Sequence, residues 1–281
     1  MQAAEEGYVP ELPEAETMVR ELRPALVGRT IRTVRILDAF LLKNSSPRQY
    51  RRRVEGRYVH GVHRHGKWIL LDHDGGLWTL IQPRMTGGFR IGLRHRPPHA
   101  RLCWELDRPP HSVWYTDLRR LGVLLLLEAD ALQRLLAERH GPDALTIDAR
   151  TLRRRLARCR SPIKAALMKQ ELIAGLGNIY AEEALHVAGI RPDRPADTLQ
   201  PDELRRLARA IRSVLRRAIA AQGTSFRDYR TARGSEGEFQ RLLNVYHRTG
   251  QPCRRCGAAI QRMKMSGLIN RYTHFCPRCQ R

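Results

Sequence analysis

Hydrophobic and polar positions alternate with a period of two along most of the first half of the chain. One helix precedes them, because Pro13 beside Glu14 and Glu16 is typical of a first helical turn and helix-forming residues continue to about Leu26. The alternation then predicts eight strands: Thr30–Leu37, Tyr58–His63, Trp68–Asp72, Leu77–Gln82, Gly88–Ile91, Leu102–Leu106, Val113–Thr116 and Val123–Leu127. Short strands joined by turns such as residues 74–76 favour a β-sandwich.

The second half changes to a helical period. Apolar residues recur at helical spacing in Ala131–Arg139, Ala149–Cys159, Ile163–Ala174, Ile179–Val187 and Pro201–Ala221. Residues 140–143 form a candidate linker, and the polar, glycine-containing residues 225–237 predict a mobile loop. We therefore predict an α+β fold, with an N-terminal β-sandwich flanked by helices (residues 10–139), a helical domain (140–245) and a small C-terminal module (246–281).

Four cysteines in the C-terminal module form two Cys-x-x-Cys pairs, at Cys253 and Cys256 and at Cys276 and Cys279. Two such turns supply tetrahedral thiolate ligands for zinc, and four protein ligands leave no open coordination position. We expect one structural zinc ion, with a β-hairpin between the two turns that presents Arg271 to DNA. Two disulfides are the alternative, which a reducing compartment disfavours.

A formal net charge of +23 makes a polyanionic partner the first expectation. The excess is spread along the chain, which favours a folded surface that follows a phosphate backbone over a disordered basic arm. The longest apolar run, Leu121–Leu127, is far too short to cross a membrane and fits a buried strand. The expected partner is therefore DNA, and no membrane association is expected.

Two further motifs lie in order along the chain. They are Pro10-Glu11-Leu12-Pro13-Glu14 and the string Gly-Leu-Gly-Asn-Ile-Tyr-Ala-Glu at residues 175–182. Together with the cysteine pairs they resemble the formamidopyrimidine-DNA glycosylases, and the resemblance extends from Pro10 to the C-terminus. It implies that residues 175–182 are a helix-two-turn-helix, in which glycines allow a tight turn and Asn178 caps a helix facing a phosphate.

The resemblance implies a bifunctional DNA glycosylase and abasic-site lyase acting on duplex DNA with oxidised bases or abasic sites, as a monomer in the bacterial cytoplasm on the nucleoid. It implies that the α-amine of Pro10 is the nucleophile and Glu11 the acid, with Lys67 at the lesion phosphate and Glu14 either in the base pocket or shaping the site. Leu12-Pro13 favours oxidised purines over the oxidised pyrimidines of the sister endonuclease VIII class. A DNA-binding protein without catalysis is the third possibility, because a proline nitrogen inside a chain is an amide.

Residues 1–9 precede the expected nucleophile. GTG encodes valine and is also a bacterial start codon, so initiation at Val9 and removal of the initiator methionine would leave Pro10 first. Glu5-Glu6-Gly7 back-translates to a purine-rich run compatible with a ribosome-binding site. Our hypothesis is that residues 1–8 are translated leader DNA. A genuine N-terminal tail that inactivates the enzyme is the alternative.

The resemblance also assigns DNA contacts. The family fills the gap left by an extruded nucleotide with a Met, an Arg and a Phe, whose positions here are Met85, Arg119 and Leu121. Leucine stacks on a base less well than an aromatic ring, so Leu121 and the altered residues 82–84 bear on lesion preference and opposite-base reading. The remaining expected contacts are Lys164, Asn178 and Tyr180.

Overall fold

The computed structural model describes residues 9–226, 229–265 and 272–281. Seven α-helices and ten strands are present among these residues. The helices are α1 (Leu12–Leu26), α2 (Pro47–Val54), α3 (Ala129–Arg139), α4 (Ala149–Leu156), α5 (Ile163–Met168), α6 (Asn178–Ala188) and α7 (Pro201–Ala220). The strands are β1 (Ile31–Ile36), β2 (Val59–His65), β3 (Trp68–His73), β4 (Leu77–Gln82), β5 (Gly87–Ile91), β6 (Ala100–Leu106), β7 (Ser112–Asp117), β8 (Val123–Glu128), β9 (Gln261–Lys264) and β10 (Tyr272–Phe275).

These elements form two compact units. The N-terminal unit contains residues 9–137 together with 221–238, and the C-terminal unit contains residues 138–220 together with 239–281. The chain therefore returns to the N-terminal unit after α7, whereas the sequence-based division placed residues 221–238 in the helical domain. The boundaries at residues 139 and 245 stay a prediction.

The N-terminal unit is built from two antiparallel four-stranded sheets. Their strand orders are β1-β6-β7-β5 and β2-β3-β4-β8. Their apolar faces share one core, to which Phe89 and Trp104 contribute from one sheet and Val62 and Ile69 from the other. The predicted β-sandwich is confirmed, and all eight predicted strands are present because each presents one face to this core.

Two helices of the N-terminal unit show what the hydrophobic pattern could and could not predict. In α1, Met18, Val19 and Leu22 are fully buried at helical spacing, as expected. The hydrophobic pattern did not predict α2, because half of its eight residues are arginine. Its start is nevertheless encoded, since the hydroxyl of Ser46 accepts from the backbone N–H of Gln49 and the Gln49 amide accepts in return.

The C-terminal unit packs α4 and α6 against α7 and carries the β9–β10 hairpin. The predicted hairpin between the two cysteine turns is confirmed. Helix α5 ends at Met168, earlier than predicted, because the side chain of Gln170 donates to the carbonyls of Met168 and Leu176 and accepts from the N–H of Gly175. In the described part of the chain, no helix has the length and apolar character that a membrane span requires.

Candidate active site and metal centre

The N-terminal motif lies at the start of α1, where its two glutamates are buried. Glu11 is the N-cap of α1 and is 2% exposed, and Glu14 is fully buried. The Glu14 carboxylate accepts a hydrogen bond from the backbone N–H of Glu11 at 2.8 Å. Pro10 is also buried, and its nitrogen forms an amide with Val9 in this chain. The motif therefore buries two carboxyl groups within four residues of the expected nucleophile, and one of them holds the backbone of the residue that follows Pro10.

The second carboxylate oxygen of Glu14 ties α1 to the segment 221–238. It accepts from the backbone N–H of Thr224 at 2.7 Å. Gly223 makes this approach possible, since its φ is +83° and a Cβ there would lie 2.6 Å from Glu14 Oε1. Glu14 therefore joins the first turn of α1 to a segment 210 residues further along the chain, and this role was not foreseen.

Further hydrogen bonds order the described part of segment 221–238. The hydroxyl of Ser225 donates to the carbonyl of Tyr229 and accepts from the N–H of Gly237, both at 2.9 Å. Glu21 of α1 accepts from the N–H of Ala232. The segment expected to be a mobile loop is thus anchored to α1 at two points along the helix.

The residues expected to enter DNA lie at turns between the strands. Lys67 lies in the β2–β3 turn and Met85 in the β4–β5 turn, and both are half-buried. Arg119 and Leu121 lie in the turn between β7 and β8 and are exposed, Leu121 by 41%. All four belong to the N-terminal unit.

A hydrogen-bond lock holds the turn of residues 117–122, which we call the wedge turn. The Asp117 carboxylate accepts from the hydroxyl of Thr86 and, at 2.7 Å, from the N–H of Gly122. The Thr86 hydroxyl in turn accepts from the N–H of Arg119 at 2.9 Å. Because Thr86 follows Met85, this lock couples the turn that carries Met85 to the turn that carries Arg119.

The four cysteines of the C-terminal unit converge on one point. Their sulfur atoms all lie within 4.8 Å of one another, with Cys253 and Cys279 at 3.9 Å and Cys256 and Cys276 at 3.4 Å. A tetrahedral zinc site with Zn–S bonds of about 2.3 Å has sulfur–sulfur edges of about 3.8 Å. A hydrogen bond from the backbone N–H of Ala258 lowers the pKa of Cys256 to about 7, which favours its ligating thiolate, whereas burial raises the pKa of the Cys276 and Cys279 thiols. The donor set and its spacing fit zinc.

A histidine that the sequence analysis missed contacts this centre. His186 of α6 is 4% exposed, and its Nε2 lies 3.5 Å from Cys253 Sγ. A ring N–H there can donate to the thiolate, as groups around a metal's own ligands commonly do. Arg281, two residues after Cys279, contacts the C-cap of α6, since its N–H donates to the carbonyl of Gly189. The cysteine cluster is therefore attached to the helix that contains Asn178 and Tyr180.

Comparison with known proteins covers nearly the whole chain. Three family models match it in order: the formamidopyrimidine-DNA glycosylase N-terminal domain at residues 9–124, the formamidopyrimidine-DNA glycosylase H2TH domain at 140–230, and the zinc finger found in FPG and IleRS at 250–281. Formamidopyrimidine-DNA glycosylase from Chloroflexus aggregans is 43% identical over 277 residues, which cover 97% of this chain and 98% of that protein. The chain belongs to the formamidopyrimidine-DNA glycosylase family.

Other relatives and solved structures of this family agree. The glycosylase from Heliobacterium modesticaldum is 42% identical, with 97% of this chain and all of that protein covered. The MutM (Fpg) structure from Thermus thermophilus has a TM-score of 0.84 at 38% identity over 96% of this chain and 98% of its own. A Lactococcus lactis Fpg variant bound to a Fapy-dG-containing DNA has a TM-score of 0.87 at 33% identity over 97% of this chain and all of its own.

The formamidopyrimidine-DNA glycosylase zinc finger and the four close thiols confirm the predicted structural zinc site.

The cysteine of the N-terminal unit lies apart from this cluster and has a different environment. Cys103 is fully buried, and burial raises the pKa of its thiol to about 11. This thiol therefore stays protonated and unreactive at neutral pH.

Lys164 does not lie where a DNA-contacting lysine of this glycosylase was expected. Its side chain is 0% exposed, and its ammonium pairs with Glu182 at 2.6 Å and donates to Thr273 Oγ1 at 2.8 Å and to the carbonyl of Tyr272 at 3.1 Å. The other Glu182 oxygen contacts His274 Nδ1 at 2.9 Å. In this arrangement the ammonium joins α5, α6 and β10, and its three N–H donors are all used within the protein.

The helix-two-turn-helix residues also differ from expectation. Tyr180 is fully buried and its ring packs against Phe239 with centroids 5.6 Å apart, so its side chain is part of the core. Asn178 is the first residue of α6 and Gly177 is its N-cap, so Asn178 is not the cap itself. Asn178 is 8% exposed at this helix start. Arg271 lies outside the described residues.

Proposed function

We propose that this chain excises oxidised purines, namely 8-oxoguanine and formamidopyrimidines, from duplex DNA and then cleaves the abasic site. The observation that carries the proposal is the geometry at the start of α1, where the buried Glu11 follows Pro10 and Glu14 holds the Glu11 backbone. A carboxyl group fixed beside an amine is what acid-assisted nucleophilic attack on a sugar requires.

The mechanism needs Pro10 to be the first residue of the active form. A free α-amine has a pKa of about 8, so an appreciable fraction is neutral near pH 7 and able to attack. The nitrogen attacks C1′ of the damaged nucleoside and the base leaves. The Glu11 carboxyl protonates the ring oxygen, and the sugar opens to a Schiff base that acidifies the adjacent carbon. Elimination on the 3′ side and then on the 5′ side leaves a one-nucleotide gap.

Glu14 acts as a positioning residue in this scheme. It holds the Glu11 backbone with one oxygen and the N–H of Thr224 with the other, at 2.8 and 2.7 Å. In this proposal, the segment 221–238 covers the extruded base. Its attachment to the same carboxylate supports a direct link between base binding and the catalytic end of α1.

The turns between strands of the N-terminal unit supply the DNA contacts in this proposal. Met85, Arg119 and Leu121 fill the space that the extruded nucleotide leaves, and Lys67 binds the phosphate at the lesion. The helix start at Asn178, together with Arg271, contributes further contacts. The zinc ion has four thiolate ligands and supports the finger without taking part in the chemistry.

We place the enzyme as a monomer in the bacterial cytoplasm, on chromosomal DNA. The formal charge of +23 supports a DNA-bound protein.

Base excision by a Glu11→Gln variant tests the acid role. With chains that begin at Pro10, we expect Glu11→Gln to lose 8-oxoguanine excision, while the matched control Glu16→Gln on the same helix retains it. Glu16 is a suitable control because it pairs with Arg20 and Arg64, away from the Glu11–Glu14 contact. Excision that survives Glu11→Gln would contradict the proposed chemistry.

A substrate panel decides between the candidate lesions. Duplexes with 8-oxoguanine, formamidopyrimidine or thymine glycol separate purine from pyrimidine preference. Thymine glycol is included because the DNA in a Lactococcus lactis Fpg structure contains an oxidised pyrimidine. Faster excision of thymine glycol would replace the purine assignment with the pyrimidine one.

A further inference from the structure

Phe40 is the most exposed large apolar side chain in the described part of the protein, with 59% of its surface accessible. It lies on the short 3-10 turn Ala39–Leu41 that follows β1. A single exposed apolar side chain is ordinary in a protein surface. The surroundings of Phe40 are unusual, because two cationic side chains lie close to its ring.

Two cations contact the Phe40 ring. Lys43 Nζ lies 3.5 Å from the ring centroid and Arg120 Cζ lies 5.7 Å from it. Among the described residues, Lys43 makes no ion pair, so its charge is available to an anion. An exposed aromatic ring flanked by cations is the arrangement with which proteins hold unstacked nucleobases beside their phosphates.

The wedge turn holds this aromatic group in place. The Arg120 guanidinium forms a two-point contact with the Asp38 carboxylate, at 2.6 and 2.9 Å, and Arg120 itself has a φ of +57°. Phe40 and the wedge-turn residues Asp117, Arg120 and Gly122 line one shallow cleft. Phe40 is therefore adjacent to the turn that presents Arg119 and Leu121.

We propose that Phe40 is a stacking platform for a nucleobase displaced from the bound duplex, with Lys43 and Arg120 contacting the adjoining phosphates. The inference rests on the proposed function, in which the wedge turn enters DNA. Leu121 stacks on a base less well than an aromatic ring, and Phe40 provides that ring from a neighbouring segment. A cation–π contact at an exposed site is weaker than base stacking, so a base displaces the Lys43 ammonium toward a phosphate.

The test compares binding to two duplexes, one undamaged and one with a tetrahydrofuran abasic analogue opposite 2-aminopurine. We expect Phe40→Ala to weaken binding to the abasic-analogue duplex at least about fivefold more than binding to the undamaged duplex. It should also reduce the change in 2-aminopurine fluorescence on binding. Phe40→Trp should restore both, and the control Leu93→Ala, which removes another exposed apolar side chain (40% exposed), should change neither.

Other outcomes overturn the inference. Equal weakening on both duplexes means that Phe40 contacts DNA without stacking on a displaced base. No weakening, together with self-association of the wild type that Phe40→Ala removes, means that the ring contacts a second copy of the chain. Borohydride trapping of the otherwise unchanged chain that begins at Pro10, on a preformed abasic site in a single strand, is run in parallel, since its failure would contradict the proposed function independently of Phe40.

Discussion

Replacing Lys164 with methionine separates a structural role from a DNA-contacting role for this residue. Methionine fills a similar volume and removes the ammonium. Glu182 then remains fully buried with only its His274 contact, and the hydroxyl of Thr273 and the carbonyl of Tyr272 each lose a donor. The perturbation therefore reaches α5, α6 and the zinc hairpin together.

The expected loss is large. Removing one partner of a buried ion pair typically destabilises a protein by about 3–5 kcal/mol, because an uncompensated charge stays buried. Both side chains here are 0% exposed, so solvent does not screen the pair. Replacing both partners, as in Lys164→Met with Glu182→Leu, should recover most of that stability, since a buried pair exchanged for apolar residues is often close to neutral.

The assay combines stability with DNA affinity. All the tryptophans lie in the N-terminal unit, so hydrogen exchange of α5, α6 and β10 is the suitable probe for the C-terminal unit. The control is Lys169→Met, because Lys169 is exposed and five residues away. If Lys164 bound a phosphate, its loss would spare stability and lower the salt dependence of DNA binding by about one charge. That result would refute the structural role.

Three further predictions address other parts of the molecule. Burial lowers the pKa of His73 to about 4, so the folded state resists a proton that the unfolded chain accepts below about pH 6.5. The free energy of unfolding should therefore fall as the pH drops below about 6.5, by about 2 kcal/mol at pH 5. In urea unfolding followed by tryptophan fluorescence, His73→Gln should remove that loss. An unchanged pH dependence in His73→Gln would count against this. The variant His186→Phe loses the ring N–H and should retain zinc about 10- to 100-fold more weakly than the unchanged protein in chelator competition. If the variant and the unchanged protein retain zinc equally, the contact does not stabilise the metal site. Gly223→Ala should impair base excision through the Glu14 contact far more than Gly234→Ala, which has a similar φ of +91° and open space for a Cβ; equal effects would indicate backbone strain alone.

Local patterns predicted most of the fold. Period-two alternation found all eight sandwich strands, because each strand buries one face, and the cysteine spacing predicted the zinc site, because ligand pairs two residues apart are a local feature. The hydrophobic pattern did not predict α2 because its apolar content is low, although its sequence contains the Ser46–Gln49 capping box.

The residue roles that the family resemblance implied agree less well with the structure than the predicted helices and strands do. Lys164 lies between Ile163 and Ala165 on a buried helix, and that setting could have predicted burial. Its partner Glu182 is 18 residues away and contributed no local signal. The Glu14–Thr224 contact spans 210 residues, a separation at which single-sequence patterns indicate nothing.

Borohydride trapping on an 8-oxoguanine duplex tests the central claim most directly. It compares protein shown by mass to begin at Pro10 with protein that begins at Met1, and with a Pro10→Gly form that keeps a free amine. The account predicts that the form beginning at Pro10 is covalently trapped and that the Met1 form is not. If neither the form beginning at Pro10 nor the Met1 form is trapped on oxidised or abasic DNA while both bind it, the Pro10 amine is not the nucleophile and a binding role becomes the better explanation.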